Sequence, residues 1–288
     1  MAFRLLILLC CLLTQSAVAK VSISTSIKPL QLIAQAVAGE TADVTVLANA
    51  SQSAHQFSLR PTDRINLERA DLVLWIGPEF ERQLAEFMSR YEARKPIIAS
   101  ANISGVSRLT LQGNVLDPHL WLGITNAESI AQSLGTELVR LSPEDAAAID
   151  ANLRDFRRQL QQLREQIHRD FTAVKMQNPI PTFVVYHNAL QYFEADIGIE
   201  HALALVHDPD REPSIREMLD TRNALSEINP RCLFMEPDAN QAIVNSLFQD
   251  RPVTRVILDL LGYSSQTNYV DLISGISRAM STCLSGNM

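Results

Sequence analysis

After its first twenty positions the sequence has no apolar run near the ~20 residues a membrane-crossing helix needs, so no span is expected in the body of the chain. It also has no excess of positive charge. The 25 Lys and Arg stand against 32 Asp and Glu, a formal net charge of −7. Nucleic-acid binders carry basic surfaces, so nucleic acid is not an expected partner. Cysteine is scarce: beyond Cys10 and Cys11 there are only Cys232 and Cys283. Set far apart, with no second Cys or His close by, these two do not resemble a zinc-ligand pair. No His-Glu-x-x-His helix is present, which removes the commonest zinc-hydrolase signature. Internal repeats and low-complexity stretches are absent as well.

What is present begins with an export signal. Arg4 gives a positive start, Leu5 to Leu13 is uncharged and apolar, and Ala17-Val18-Ala19 is a small-x-small cleavage site. The mature chain is expected to begin near Lys20. Lipid attachment at Cys10 or Cys11 is disfavoured because Leu8 and Leu9 precede them, not small residues. An exported chain meets an oxidising compartment, where Cys232 and Cys283 readily form a disulfide; two buried free thiols are the alternative.

The chain divides about one long helix. Ser142-Pro143-Glu144-Asp145 reads as a helix start. Ile149, Leu153, Phe156, Leu160, Leu163, Ile167, Phe171 and Val174 then follow at spacings of three and four, as one helical face requires. Pro179 and Pro181 end the pattern. The expected division is a leader over 1–19, an N-terminal α/β lobe over 20–141, a linking helix over 142–178, and a C-terminal α/β lobe over 179–288. In the first lobe, strands are expected at Val21–Ser26, Val44–Leu47 and Leu72–Ile76, with helices at Pro29–Ala38 and Pro61–Ala70. In the second, strands are expected at Thr182–Tyr186 and Cys232–Met235, with helices at Ala189–Ile197 and Ala239–Phe248. Alternating strands and helices favour parallel sheets.

Six histidines punctuate this pattern. His187 directly follows the Thr182–Tyr186 strand, where open α/β sheets place ligands. His55 lies in the loop after the Val44 strand, and His119 in the proline-marked turn Asp117-Pro118-His119. All three are loop residues, and neutral imidazole is the commonest metal ligand. Their separations of 64 and 68 residues match no short zinc motif. The residues themselves therefore propose a metal site and leave a hydrogen-bonded, metal-free role open for each. His168 is expected in solvent on the long helix. His201 and His207 flank Ala-Leu-Ala-Leu-Val, read as a strand, and are expected to line a cleft, with a ligand role the lesser reading. Asp259 ends an apolar run and either ligates metal or hydrogen-bonds a ligating histidine from behind. Glu236 follows a strand and is read as a loop-anchoring or helix-capping carboxylate.

Several segments together resemble the cluster A-I (cluster 9) substrate-binding proteins of bacterial metal ABC importers, and most nearly the periplasmic zinc-binding proteins of high-affinity zinc uptake. They are Ser26-Ile-Lys-Pro-Leu, Ala54-His-Gln-Phe-Ser-Leu-Arg-Pro-Thr-Asp, Ala70-Asp-Leu-Val-Leu-Trp-Ile-Gly-Pro-Glu-Phe-Glu, Asp117-Pro-His-Leu-Trp-Leu, Tyr186-His-Asn-Ala-Leu-Gln-Tyr-Phe, Phe234-Met-Glu-Pro and Leu258-Asp-Leu-Leu-Gly. The resemblance covers Ile23 to Cys283. It implies two parallel-sheet α/β lobes joined by one rigid helix, with Zn(II) in the cleft between them. His55, His119 and His187 would be the ligands, Asp259 a fourth ligand or a support for one of them, and Cys232–Cys283 a disulfide. The implied role is capture of Zn(II) for a membrane permease, in the periplasm and without catalysis. A monomer is expected, and a periplasmic zinc chaperone is admitted as a second partner. Manganese and iron relatives usually place Glu at the third position. Here it is His187, and an imidazole-rich set suits zinc. Two departures stand out. Ala101 to Asp117 contains no histidine where zinc relatives often carry a His-rich loop, and Ala54 replaces the acidic residue that often precedes the first ligand. The rival readings are a manganese or iron carrier, a zinc hydrolase and a surface adhesin.

Overall fold

The computed structural model describes residues 20–48, 59–111, 113–179, 181–209, 211–264 and 267–286. The leader expected over 1–19 and the proposed ligand His55 lie outside these residues. Strand β1 (Val21–Thr25) leads into helix α1 (Lys28–Ala38), which starts with Pro29 in its first turn and stops at Gly39. Gly39 has φ +55°, and a Cβ there would come within 2.6 Å of the Asn152 amide, so both backbone and space demand glycine. Strand β2 (Ala42–Val46), helix α2 (Pro61–Arg69), strand β3 (Leu72–Trp75), helix α3 (Arg82–Tyr91) and strand β4 (Ile97–Ala99) follow. The strands form one parallel sheet in the order β2-β1-β3-β4. A two-stranded hairpin comes next, β5 (Thr110–Leu111) and β6 (Val115–Leu116). It turns through Gly113 and Asn114, both at positive φ.

Helix α4 (Ile124–Leu141) runs into a single 3-10 turn at Pro143–Asp145 and then into α5 (Ala146–Gln177). The Ser142 hydroxyl bonds the Asp145 carboxylate (2.7 Å) rather than a backbone N–H, so the α-helix proper begins after the Ser-Pro-Glu-Asp signal, not within it. At 32 residues, α5 is about 48 Å long. Its eight-residue apolar stripe is buried throughout.

The second sheet is built from β7 (Phe183–His187), α6 (Gln191–Ile197), β8 (Leu203–Val206), α7 (Ile215–Glu227), β9 (Cys232–Met235), α8 (Gln241–Leu247) and β10 (Thr254–Ile257). Its order is β10-β9-β7-β8, again all parallel. Helix α9 (Tyr269–Ser285) ends the fold and packs on α5 and α1. The expected fold class, two parallel-sheet α/β lobes with one long helix, is met. One apolar core runs from the first sheet through α1, α4, α5 and α9 to one face of the second sheet. The other face of that sheet closes with a smaller core against α7 and α8. Cys232 at the start of β9 and Cys283 in α9 form a disulfide, tying the last helix to the second sheet. Among the described residues no helix is long and apolar enough to cross a membrane.

Candidate metal centre

Carboxyl-terminal strand ends from both sheets, and the hairpin after β4, face a cleft of about 690 Å³ between the lobes. Phe80, Pro118 and His119 line it on one side, and His187, Val206 and His207 on the other. This is where open parallel sheets present ligand-binding groups.

His119 precedes a one-turn 3-10 helix, Leu120–Leu122. The fully buried Asp117 holds it twice, with Oδ1 accepting from the His119 backbone N–H at 3.0 Å and lying 2.8 Å from Nδ1. An ionised carboxylate only accepts, so Nδ1 carries the proton and Nε2 presents its lone pair. Trp121 packs edge-on against the imidazole at 5.3 Å between centroids, and Phe80 lies at 6.3 Å. These rings make an apolar wall.

His187 is the last residue of β7. Glu236, just past the neighbouring strand β9, brings Oε2 to 3.1 Å from Nδ1. Burial acts to lower the His187 pKa; the Glu236 carboxylate outweighs it, and the net shift is upward. Glu236 therefore does more than anchor a loop. The expectation of a capping role fails because β9 lies beside β7 and sets the two side chains against each other.

The two Nε2 atoms face each other at 3.3 Å, with the rings inclined at 57°. His119 is 3% exposed and His187 7%. A tetrahedral ion with arms of ~2.0–2.1 Å separates its ligand atoms by about 3.3 Å, which is the spacing found. With Nδ1 of His119 holding its proton toward Asp117, its Nε2 lone pair faces the His187 ring, and the two Nε2 atoms share one short contact in which either a proton or a cation fits.

Asp259 sits at a turn in the second lobe. Its carboxylate accepts from the backbone N–H of Gly262 (2.8 Å), Ser264 (2.6 Å) and Leu261 (3.2 Å), and from the Ser264 hydroxyl. Burial pushes its pKa up, but the bonds from Ser264 and Gly262 outweigh that and hold it below the ordinary carboxylate value. The same turn carries Tyr263, whose hydroxyl donates to Ala48 O at 2.7 Å. Ala48 is the last described residue before the stretch that contains His55. On the far side of that stretch, Asp63 accepts from the Arg60 backbone at 2.8 Å and pairs with its guanidinium. Both ends are thus anchored. Among the described residues no three His, Cys, Asp or Glu side chains gather around one point.

The other histidines separate cleanly. His168 is exposed on α5. His201 is engaged with the buried Glu194, its Nδ1 at 2.8 and 2.9 Å from the two carboxylate oxygens. His207 is exposed at the rim of the cleft, just past β8.

The model of the family "zinc-uptake complex component A, periplasmic" matches residues 23–283. The high-affinity zinc uptake system protein ZnuA of Yersinia pestis is 28% identical over 299 residues, covering 92% of this chain and 92% of that protein. A crystal structure of ZnuA matches with a TM-score of 0.80 at 22% identity, over 92% of this chain and 100% of that one. The periplasmic zinc-binding protein TroA of Treponema pallidum matches with a TM-score of 0.82 at 19% identity, over 92% of this chain and 99% of that one. At these identities the structural likeness establishes the fold.

Proposed function

Since the chain belongs to the family of periplasmic zinc-uptake components, we propose that it captures Zn(II) in the periplasm and delivers it to the permease of an ABC importer. The ion sits between the Nε2 atoms of His119 and His187 and takes His55 as a third ligand. Asp259 or water completes the sphere. The observation that carries this reading is the 3.3 Å approach of the two Nε2 atoms, each backed by a carboxylate. Imidazole nitrogens favour Zn²⁺ over Mn²⁺, which prefers oxygen donors. The role is stoichiometric carriage, not turnover, and the chain acts as a monomer. A periplasmic zinc chaperone would load the same site.

Metal analysis of protein purified from the periplasm without added metal, followed by zinc titration of the stripped protein, tests this. One zinc per chain is expected. His55→Ala, His119→Ala and His187→Ala should each weaken binding by well over tenfold, ~1.4 kcal/mol or more. Wild-type affinity in all three variants would sink the site. Hydrolysis of ester or amide substrates by the zinc-loaded protein would favour an enzyme instead. Growth of a deletion strain restored by added zinc separates import from adhesion.

A further inference from the structure

Tyr192, on α6 of the second lobe, is buried, and its hydroxyl lies across the seam against the first lobe. It accepts from the backbone N–H of Leu109 at 2.9 Å and donates to the backbone carbonyl of Asp117 at 3.0 Å. Leu109 and Asp117 are the neck of the β5–β6 hairpin, where the Asp117 N–H bonds the Leu109 carbonyl at 2.9 Å. The phenol therefore closes that neck from outside. Burial pushes its pKa up to about 12, so it remains a donor at every physiological pH.

Other contacts hold the chain on the far side of His119. The Trp121 indole donates to Leu260 O at 3.0 Å, Tyr269 donates to Trp121 O at 2.7 Å, and the Ile124 N–H bonds the Asp196 carboxylate at 2.9 Å. These grip the segment after His119, whereas Tyr192 grips the segment before it. Tyr192 also lies five residues beyond His187, in the helix that follows β7.

We propose that Tyr192 is a positioning residue for zinc: by bridging Leu109 and Asp117 it keeps the Asp117 carboxylate behind His119 and fixes the His119–His187 distance before the ion arrives. This rests on the zinc reading above. A group that orients a metal ligand typically contributes 10–100-fold to affinity. Tyr192→Phe keeps the ring and removes only the bridge. Zinc affinity should fall about tenfold, and the visible spectrum of the Co(II)-loaded protein should change. A second variant tests the same point with the hydroxyl intact. Gly123 has ordinary backbone angles, and a Cβ there would meet the Tyr192 Cβ at 3.3 Å. Gly123→Ala should therefore displace Tyr192 and lower affinity in the same direction.

The decisive arm combines variants. Tyr192→Phe should weaken residual zinc binding further in a His187→Ala background and leave it unchanged in His119→Ala, because it acts through His119. Loss of metal-free melting temperature without loss of affinity would make Tyr192 merely structural and overturn the proposal. Equal further loss in both histidine backgrounds would overturn it too. If His119→Ala and His187→Ala both bind zinc like the wild type, the zinc reading itself fails, and the proposal with it.

Discussion

Although 68 positions separate them in the chain, His119 and His187 bring their Nε2 atoms to 3.3 Å, and each ring has a carboxylate at its Nδ1 side. Asp117 is local to its histidine. Glu236 reaches its own from the next strand. Asp117→Asn and Glu236→Gln should each cost zinc about 10–100-fold in affinity, less than loss of either histidine. Calorimetry on stripped protein checks the order. Either carboxyl variant falling as far as its histidine partner would mean that the carboxylate itself ligates.

The Cys232–Cys283 disulfide should appear as a loss of two hydrogens in the mass of the periplasmic protein. In the chain-entropy account, closing a loop of this size restrains the unfolded chain by roughly 4 kcal/mol. Denaturant unfolding of the oxidised and reduced forms should differ by up to that amount. Identical midpoints would show that the bond constrains nothing the fold does not already hold.

Glu81 makes stability depend on pH. It is fully buried and accepts from the backbone N–H groups of Ile76 (2.9 Å) and Gly77 (3.0 Å). Burial nevertheless drives its pKa from 4.5 to about 7. Between those values the folded state binds more protons than the unfolded one, so stability falls as pH rises through this window. Glu81→Gln keeps an acceptor for the two N–H groups and carries no charge. The metal-free variant should lose roughly 2–3 kcal/mol less than wild type between pH 5 and pH 8. Parallel stability curves for the two proteins would place the titration elsewhere.

Zinc stoichiometry should be one. His201 is committed to Glu194, His168 is on the outer side of α5, and His207 is exposed at the rim. His201→Ala and His207→Ala should leave the tight site unchanged, and saturating zinc should raise the melting temperature. A second zinc of comparable affinity, surviving replacement of His55, His119 and His187, would reveal another site.

The long helix was readable because its stripe of eight apolar residues, Ile149 to Val174, repeats at helical spacing over about seven turns and meets apolar surface from both lobes. The position of His187 at the cleft was readable because a polar residue directly after a largely apolar strand marks the edge of a parallel sheet where ligands bind. Glu236 was not, since its partner depends on β9 lying beside β7, and hydrophobic pattern does not encode strand order. The tie between Asp117 and His119 depends on the conformation of the Asp-Pro-His turn, which residue spacing does not fix. Helix α7 buries only Leu225 and exposes Ile215 and Leu219, so its pattern is weak. Helix α9 escapes although Leu272, Ile273, Ile276 and Met280 are helix-spaced, because Ser274, Gly275 and Ser277 interrupt them. The interval between β4 and His119 reads as loop because a four-residue hairpin is too short to show alternation.

Near its start, α5 sends the Asn152 amide to the Val37 carbonyl at the end of α1 (3.1 Å), and near its finish the Lys175 ammonium to the Ile197 carbonyl at the end of α6 (2.8 Å). These two residues are about 34 Å apart along the axis and must point in set directions. The helix thus works as a keyed shaft whose angular phase matters as much as its length. Inserting one residue between them would turn one end by ~100° and advance it by ~1.5 Å, mis-aiming one lobe relative to the other. An insertion of seven, nearly two full turns, restores the aim but pushes the lobes ~10 Å apart, too far for one ion to touch both His119 and His187. Between Asn152 and Lys175, then, residue number is set by arithmetic as well as by packing.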